Sequence, residues 1–291
     1  MSVEEWVVTL STPTYIILIG LEFLLSHWQK RKYYDIADSV TNVYLMLLNM
    51  GLDLLLRVFT IAVLMFFYQY RFFTFESAFW YWFTLFIAED LVFYWLHRID
   101  HTSRFFWAVH VTHHSSPYFN LTTGFRSSVF QPVYRFIYFI PLALLGYKAL
   151  DIFLMYSVTQ IYGIIIHTNY VGKLGFLEKI LVTPSLHRVH HATNIKYLDK
   201  NMGMVLIIWD MLFGTYQEED ENEPIEYGLF QKEIKRDPFN VVFHEWISIF
   251  QDMKKAPDWR TKLKYFFMPP GWSHDGSTKT SKELQRELIK K

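Results

Sequence analysis

The chain has 291 residues, of which 52% are hydrophobic, 19% aromatic and 19% charged, a balance that excludes disorder, a collagen repeat and a long coiled coil. Its 28 basic and 28 acidic residues cancel, which speaks against nucleic-acid binding, because neutralising phosphates takes an excess of Lys and Arg. With no cysteine, disulfides, thiolate zinc sites, iron–sulfur clusters and a cysteine nucleophile are excluded together, and any metal must be held by imidazole and carboxylate.

The N-terminus carries Glu4 and Glu5 and lacks the positive segment that opens a secretory signal. An uncharged run from Val7 to Leu21 is broken by Glu22 and followed by Lys30-Arg31-Lys32. Ser39 to Tyr70 is apolar apart from Asp53 and Arg57, which stand i, i+4 and are expected to pair. Ser77 to Leu96 forms the next apolar run, with Glu89 and Asp90 near its end. Phe136 to Tyr147 and Ile152 to Gly172 read as a pair joined at Lys148 to Asp151. A hydrocarbon layer of ~30 Å calls for about 17 to 25 residues, so the sequence predicts an all-α, polytopic integral membrane protein with about four or five spans. A soluble bundle of buried helices is the competing reading.

Placing Lys30-Arg31-Lys32 in the cytoplasm follows the positive-inside tendency. The chain then leaves through 40–66, returns through 77–96, leaves again through about 133–148 and returns through 151–167. His97 and His167 both re-emerge on the cytoplasmic face, so a histidine-rich helical cap is expected there. Asp237-Pro238 reads as an N-cap followed by Pro at the first helical position. Phe239, Val242, Phe243, Trp246, Ile249 and Phe250 follow at helical spacing, as in a helix lying on a membrane surface. His244 falls outside that stripe and is expected to face solvent, and the last twenty residues read as a loose tail. One domain over 1–291 is expected, with a catalytic core at about 85–216 and a surface helix and tail at about 237–291.

Nine of the twelve histidines lie between residues 97 and 191, and eight of those nine form three groups. His97 and His101 are spaced i, i+4; His110, His113 and His114, like His187, His190 and His191, are spaced i, i+3, i+4. On a helix such offsets bring the imidazoles of a group to one side, within reach of a common ion. Ser103 is placed to start the helix of the second group and Pro117 to end it, while Thr183-Pro184 starts that of the third. Three short helices of this kind would enclose two metal ions. Imidazole favours iron, zinc, copper or nickel, and spacing does not choose among them. A zinc hydrolase would place Glu beside its first histidine, where this chain has Arg98 and Arg188. A bis-histidine haem site would use single histidines inside facing spans. A dimetal, oxygen-activating centre fits the pattern better than either. His27, His244 and His274 stand alone and read as ordinary hydrogen-bonded residues.

Glu89 and Asp90, one or two turns before His97 in apolar surroundings, are candidates to orient ligand imidazoles. Asp199 is a further candidate, and Asp100 and Asp210 are weaker ones. The aromatics of 77–96 and 130–140 would line a lipid cleft or simply pack.

The three histidine groups resemble the eight-histidine signature of the fatty acid hydroxylase superfamily, also called the sterol desaturase family. The alkylglycerol monooxygenase branch is resembled more closely by Trp107 to Ser116 with Asn120 to Thr123, by Thr183 to His191 and by Asp199 to Asn201. Val205 to Asp210, Phe213 to Thr215, Glu226 to Leu229 and Pro270 to Trp272 continue the likeness, over roughly 85 to 272. Thr102 and Pro117 stand where the ether-lipid enzymes tend to carry acidic residues. The resemblance implies a membrane-bound di-iron monooxygenase that takes a long-chain lipid and dioxygen. Its ligands would be His97, His101, His110, His113, His114, His187, His190 and His191, with His167 as a ninth. The two irons would need an external reductant, tetrahydrobiopterin in the alkylglycerol branch and a separate redox protein otherwise. The host membrane would be the endoplasmic reticulum or a bacterial inner membrane. The alternatives are a sterol, fatty acid or carotenoid enzyme of the same superfamily, and a metal carrier without catalysis.

Overall fold

The computed structural model describes residues 3–231 and 234–290. Helix α1 covers Val3–Trp28, α2 Ile36–Tyr68, α3 Ala78–Thr102 and α4 Arg104–His114. They are followed by α5 (Pro132–Leu145), α6 (Ala149–Ile165), α7 (Pro184–His191) and α8 (Ile208–Phe213). The chain closes with α9 (Pro238–Lys255), α10 (Trp259–Phe267) and α11 (Ser281–Ile289). Among the described residues, two isolated bridges, Leu181 with Leu206 and Ala192 with Tyr227, are the only extended pairing.

Helix α2 starts at Asp35, whose extended backbone and side chain cap the Asp38 N–H at 2.9 Å. Its 33 residues run about 50 Å at the α-helical rise. Among the described residues, Thr9–Trp28 and Ile36–Tyr68 are the helices long and apolar enough to cross a membrane. Their sides are largely bare: Ile16 is 68% exposed, Leu55 77% and Val58 79%. An apolar surface of that extent needs an apolar surrounding. Glu22 does not interrupt α1; it is buried and accepts hydrogen bonds from Thr168 Oγ1 at 2.5 Å, the Leu121 N–H at 2.8 Å and the Tyr34 hydroxyl.

The helices of the expected later pair are short for membrane spans. Helices α5 and α6 have 14 and 17 residues, about 21 and 26 Å, which is below the ~30 Å hydrocarbon thickness. Gly146 ends α5 at φ 105°, and a Cβ there would stand 2.3 Å from the Phe73 carbonyl. Only glycine permits this close crossing of the two loops. Beneath it Leu64, Leu85, Phe139, Leu142, Ile152 and Phe153 pack α2, α3, α5 and α6 into one core. Asp53 and Arg57 pair at 3.0 Å as expected, and buried Arg135 joins Asp53 from α5 while donating to the Tyr156 hydroxyl at 2.9 Å.

Two expectations for the C-terminal part are corrected. His244 is buried, with Nδ1 2.9 Å from the Asn240 carbonyl. The reason is that Arg104 of α4 binds Glu245 and Asp252, each at 2.8 Å, and so turns that side of α9 inward. Phe239 and Phe250 of the expected stripe stay outside, at 60% and 53% exposed. The tail is also ordered over Ser281–Ile289. Thr280 and Glu283 form a capping box, and Gln285 Nε2 donates to the carbonyls of Ile195 and Leu198 at 3.2 and 2.8 Å.

Candidate metal centre

The end of α3, all of α4, the residues after α6 and α7 meet at one end of the helical core. Helix α3 delivers His97 and His101 one turn apart. Ser103 breaks the chain with an extended backbone and α4 restarts at Arg104, although no Ser103 side-chain bond caps it. Pro184 opens the eight-residue α7 at its first turn, as expected.

Among the described residues the imidazoles form two sets, and these are not the three sequence groups. His97, His101, His110, His114 and His190 make the first set, and His113, His167, His187 and His191 the second. Within each set, one nitrogen per ring lies within 4.8 Å of all the others. Helix α4 gives its i, i+4 pair to the first set and its i+3 histidine to the second. Helix α7 does the reverse. The cause is the helical turn: relative to residue i, positions i+3 and i+4 point to opposite flanks of the same face.

The outer nitrogens are tied down. His97 Nδ1 lies 2.8 Å from the Met202 carbonyl, His113 Nδ1 2.8 Å from that of Arg126 and His190 Nδ1 2.9 Å from that of Lys200. His167 Nδ1 lies 2.6 Å from the Gly163 carbonyl. A carbonyl accepts only, so these four rings carry the proton on Nδ1 and turn a bare Nε2 lone pair inward. Inside, His97 Nε2 and His110 Nε2 approach to 3.0 Å, and His167 Nε2 lies 3.0 Å from His187 Nε2 and 3.1 Å from His191 Nε2. The buried Nε2 atoms of His101 and His190 have no hydrogen-bond partner. Converging buried lone pairs without protons between them fit a cation in each set, and the all-imidazole donors suit a first-row transition metal. Burial first, and neighbouring imidazoles after it, hold His110, His114, His187, His190 and His191 well below the ordinary histidine range. Burial likewise lowers His113 to about 4. All six are neutral near pH 7, the form that binds metal.

The carboxylates divide. Asp199 Oδ1 lies 3.2 Å from His101 Nδ1. Asp100 takes the Tyr134 hydroxyl at 2.7 Å and Gln131 Nε2 at 3.1 Å, with His110 Nδ1 3.7 Å away. Glu89 and Asp90 are not brought to an imidazole. Asp90 accepts from the Val205 and Leu206 N–H groups at 3.0 and 3.1 Å and from Trp209 Nε1 at 2.9 Å. Glu89 accepts from Thr159 Oγ1 at 3.3 Å. Their side of α3 faces α6 and the 205–209 segment, while His97 lies two turns further on. Asp210 holds the Met202 and Gly203 N–H groups at 2.6 and 2.8 Å, and so fixes the Met202 carbonyl that orients His97.

Sequence reasoning missed Arg126 and Phe119. Fully buried Arg126 donates from Nε to the Thr112 carbonyl at 2.8 Å, from Nη2 to Ser115 Oγ at 2.8 Å and from Nη1 to Asn42 Oδ1 at 2.7 Å. Buried Phe119 walls the second set, its ring stacked on His167 with centroids 5.3 Å apart. Neither belongs to a histidine group, so no spacing signal marks them.

Residues 82–215 match the fatty acid hydroxylase family model. That segment is similar to fatty acid hydroxylase domains. All nine converging histidines lie within it. Human alkylglycerol monooxygenase is 41% identical over 155 residues, which cover 53% of this chain and 34% of that protein. Its Danio rerio counterpart is 36% identical over 157 residues, covering 54% of this chain and 34% of that one. The Rhizobium tropici ornithine lipid hydroxylase OlsE is 37% identical over 97 residues, covering 33% and 29%. The chain's match spans about a third of the length of these curated relatives. No solved structure matches the chain.

Proposed function

We propose that this chain works as an integral membrane, di-iron lipid monooxygenase, with His97, His101, His110, His114 and His190 holding one iron and His113, His167, His187 and His191 the other. The observation that carries this reading is the convergence of nine buried imidazoles into two adjoining sets. Two irons bound there would supply the power to activate dioxygen and oxidise an unactivated C–H bond. The net reaction turns R–H, dioxygen, two electrons and two protons into R–OH and water.

The chain's own residues do the rest. The carbonyls of Met202, Arg126, Gly163 and Lys200 and the carboxylate of Asp199 fix ring tautomers and keep the Nε2 atoms aimed inward. Phe119, and Trp107 with its ring centroid 5.0 Å from that of His101, cover the two sets and exclude water. Helices α1 and α2 would seat the domain in the bilayer, so that a lipid chain reaches the centre from the hydrocarbon side, and the histidine end would face the cytoplasm. In this reading the membrane is the endoplasmic reticulum or a bacterial inner membrane.

Among long-chain lipids, the names of the matched relatives favour an alkylglycerol. Sterols, fatty acids and carotenoids are the other candidates within this chemistry. Electrons come from outside, since the chain has no cysteine for a cluster and no Gly-x-Gly-x-x-Gly for a dinucleotide. Tetrahydrobiopterin is the reductant proposed with an alkylglycerol substrate. The test is metal content of the detergent-purified chain, followed by oxygen uptake. About two irons per chain, with uptake that needs both lipid and reductant, is the expected result. A metal carrier would bind the ions and consume no oxygen, which would overturn the reading.

A further inference from the structure

Outside the histidine sets lies an open cleft of about 390 Å³ whose wall includes Tyr33, Phe119, Asn169, Arg188, Glu219 and Tyr227. Its volume falls in the range of small-molecule sites. The Tyr227 ring lies flat on Phe119, with centroids 5.1 Å apart and 7° between planes. Phe119 lies on His167 at 5.3 Å and 28°, and its centroid is also 5.3 Å from that of His191. Three rings therefore run in a row from the cleft to the second histidine set. Asn169 locks the row together. Its Oδ1 accepts from the Tyr227 hydroxyl at 3.0 Å, and its Nδ2 donates to the Phe119 carbonyl at 2.6 Å. On the rim, Arg188 is neutralised by Glu219 at 2.7 Å and also donates to the Val171 carbonyl at 2.7 Å. The cleft thus combines aromatic rings, Tyr227 outermost of the row and Tyr33, with fixed polar groups, a lining suited to a flat nitrogen heterocycle.

Resting on the oxygenase reading, we propose that this cleft seats the external reductant, a flat reduced nitrogen heterocycle, which passes electrons through Tyr227 and Phe119 to the second histidine set. The heterocycle loses two electrons and two protons. Dioxygen takes these together with two electrons from the substrate C–H bond, so that one oxygen atom ends in the alcohol and the other in water.

The test uses the full-length, iron-loaded chain in detergent, a soluble tetrahydropterin as probe and dithionite as a reductant that needs no seat. Tyr227→Leu removes the outer ring and Tyr227→Phe keeps it. For Tyr227→Leu the expected results are a tetrahydropterin Kd raised at least tenfold and slower single-turnover reduction of the irons by tetrahydropterin. Reduction by dithionite and lipid affinity should stay at wild-type values, and Tyr227→Phe, which keeps the ring but loses the Asn169 hydrogen bond, should bind tetrahydropterin between wild type and Tyr227→Leu. Should Tyr227→Leu lose iron, Tyr33→Leu, which also lines the cleft, carries the same measurements. Unchanged tetrahydropterin binding in the leucine variants, or a loss of lipid affinity instead, would overturn the proposal and make the cleft a headgroup seat or an unused surface. A wild-type chain whose bound metal neither reductant reduces would instead overturn the oxygenase reading itself.

Discussion

His113 donates a hydrogen bond from Nδ1 to the carbonyl of Arg126 at 2.8 Å, while the guanidinium of that same arginine donates to the carbonyl of Thr112, the residue before His113, at 2.8 Å. One residue thus fixes both a ligand ring and the last turn of the helix that carries it. Arg126→Ala would strand Asp38, Asn42 and Ser115 without their buried partner. Breaking a buried charged network in this way costs roughly 3–5 kcal/mol. A clear fall in melting temperature and loss of metal from the second set are expected, with Arg126→Lys in between because it keeps the charge but not the planar fork. Thermal scans and elemental analysis check this.

The regrouping of the histidines gives a stoichiometric prediction. His187→Ala with His191→Ala should leave about one metal per chain, because both residues feed the second set. His97→Ala with His101→Ala should remove the other ion and spare that one. His113→Ala with His190→Ala, one residue from each set, should weaken both. If all three double variants lose metal equally, the division into two sets is wrong.

Asp199 and Asp90 should separate by phenotype. Asp199→Ala frees His101 Nδ1 from its acceptor, and losing such an outer partner typically lowers metal affinity about 10–100-fold. Asp90→Ala leaves two backbone N–H groups and the Trp209 indole unmatched and should lower the melting temperature more than the metal affinity. Competitive chelator titration alongside thermal scans distinguishes the two.

Stability of the metal-stripped chain should depend on pH with a definite sign. His110, His113, His114, His187, His190 and His191 are held below the ordinary value of 6.5, chiefly by burial. Unfolding returns them to that value, so the unfolded chain binds more protons in acid. The stability contributed by these neutral rings is therefore complete above pH 6.5 and is lost as pH falls from there, with His113 titrating at about 4. Melting temperatures that rise as pH is lowered from 7 to 5 would contradict this.

The histidine groups were legible in the sequence because i, i+3, i+4 spacing survives any change of tertiary arrangement. How they divide into two sets was not, since that depends on how α4 and α7 face each other across the centre. The carbonyls of Met202, Arg126, Gly163 and Lys200 were also hidden, because every residue has a carbonyl and composition marks none of them. Asp90 was misread for a related reason. An acid on the same side of a helix as a histidine can still lie two turns from it along the axis, and this one is spent on the 205–206 backbone and Trp209. His244 and Ser281–Ile289 read as solvent-facing and loose because their partners, Arg104 through Glu245 and the 195–198 carbonyls, lie far away along the chain.

The crossed allocation of α4 and α7 has a consequence for how such a centre can be altered. A point substitution removes one imidazole from one set. A one-residue insertion ahead of His190, inside α7, would rotate its downstream histidines by about 100° and withdraw donors from both sets at once. The two helices thus tolerate exchange of residues far better than any change in their count, and the two histidine sets share a single register.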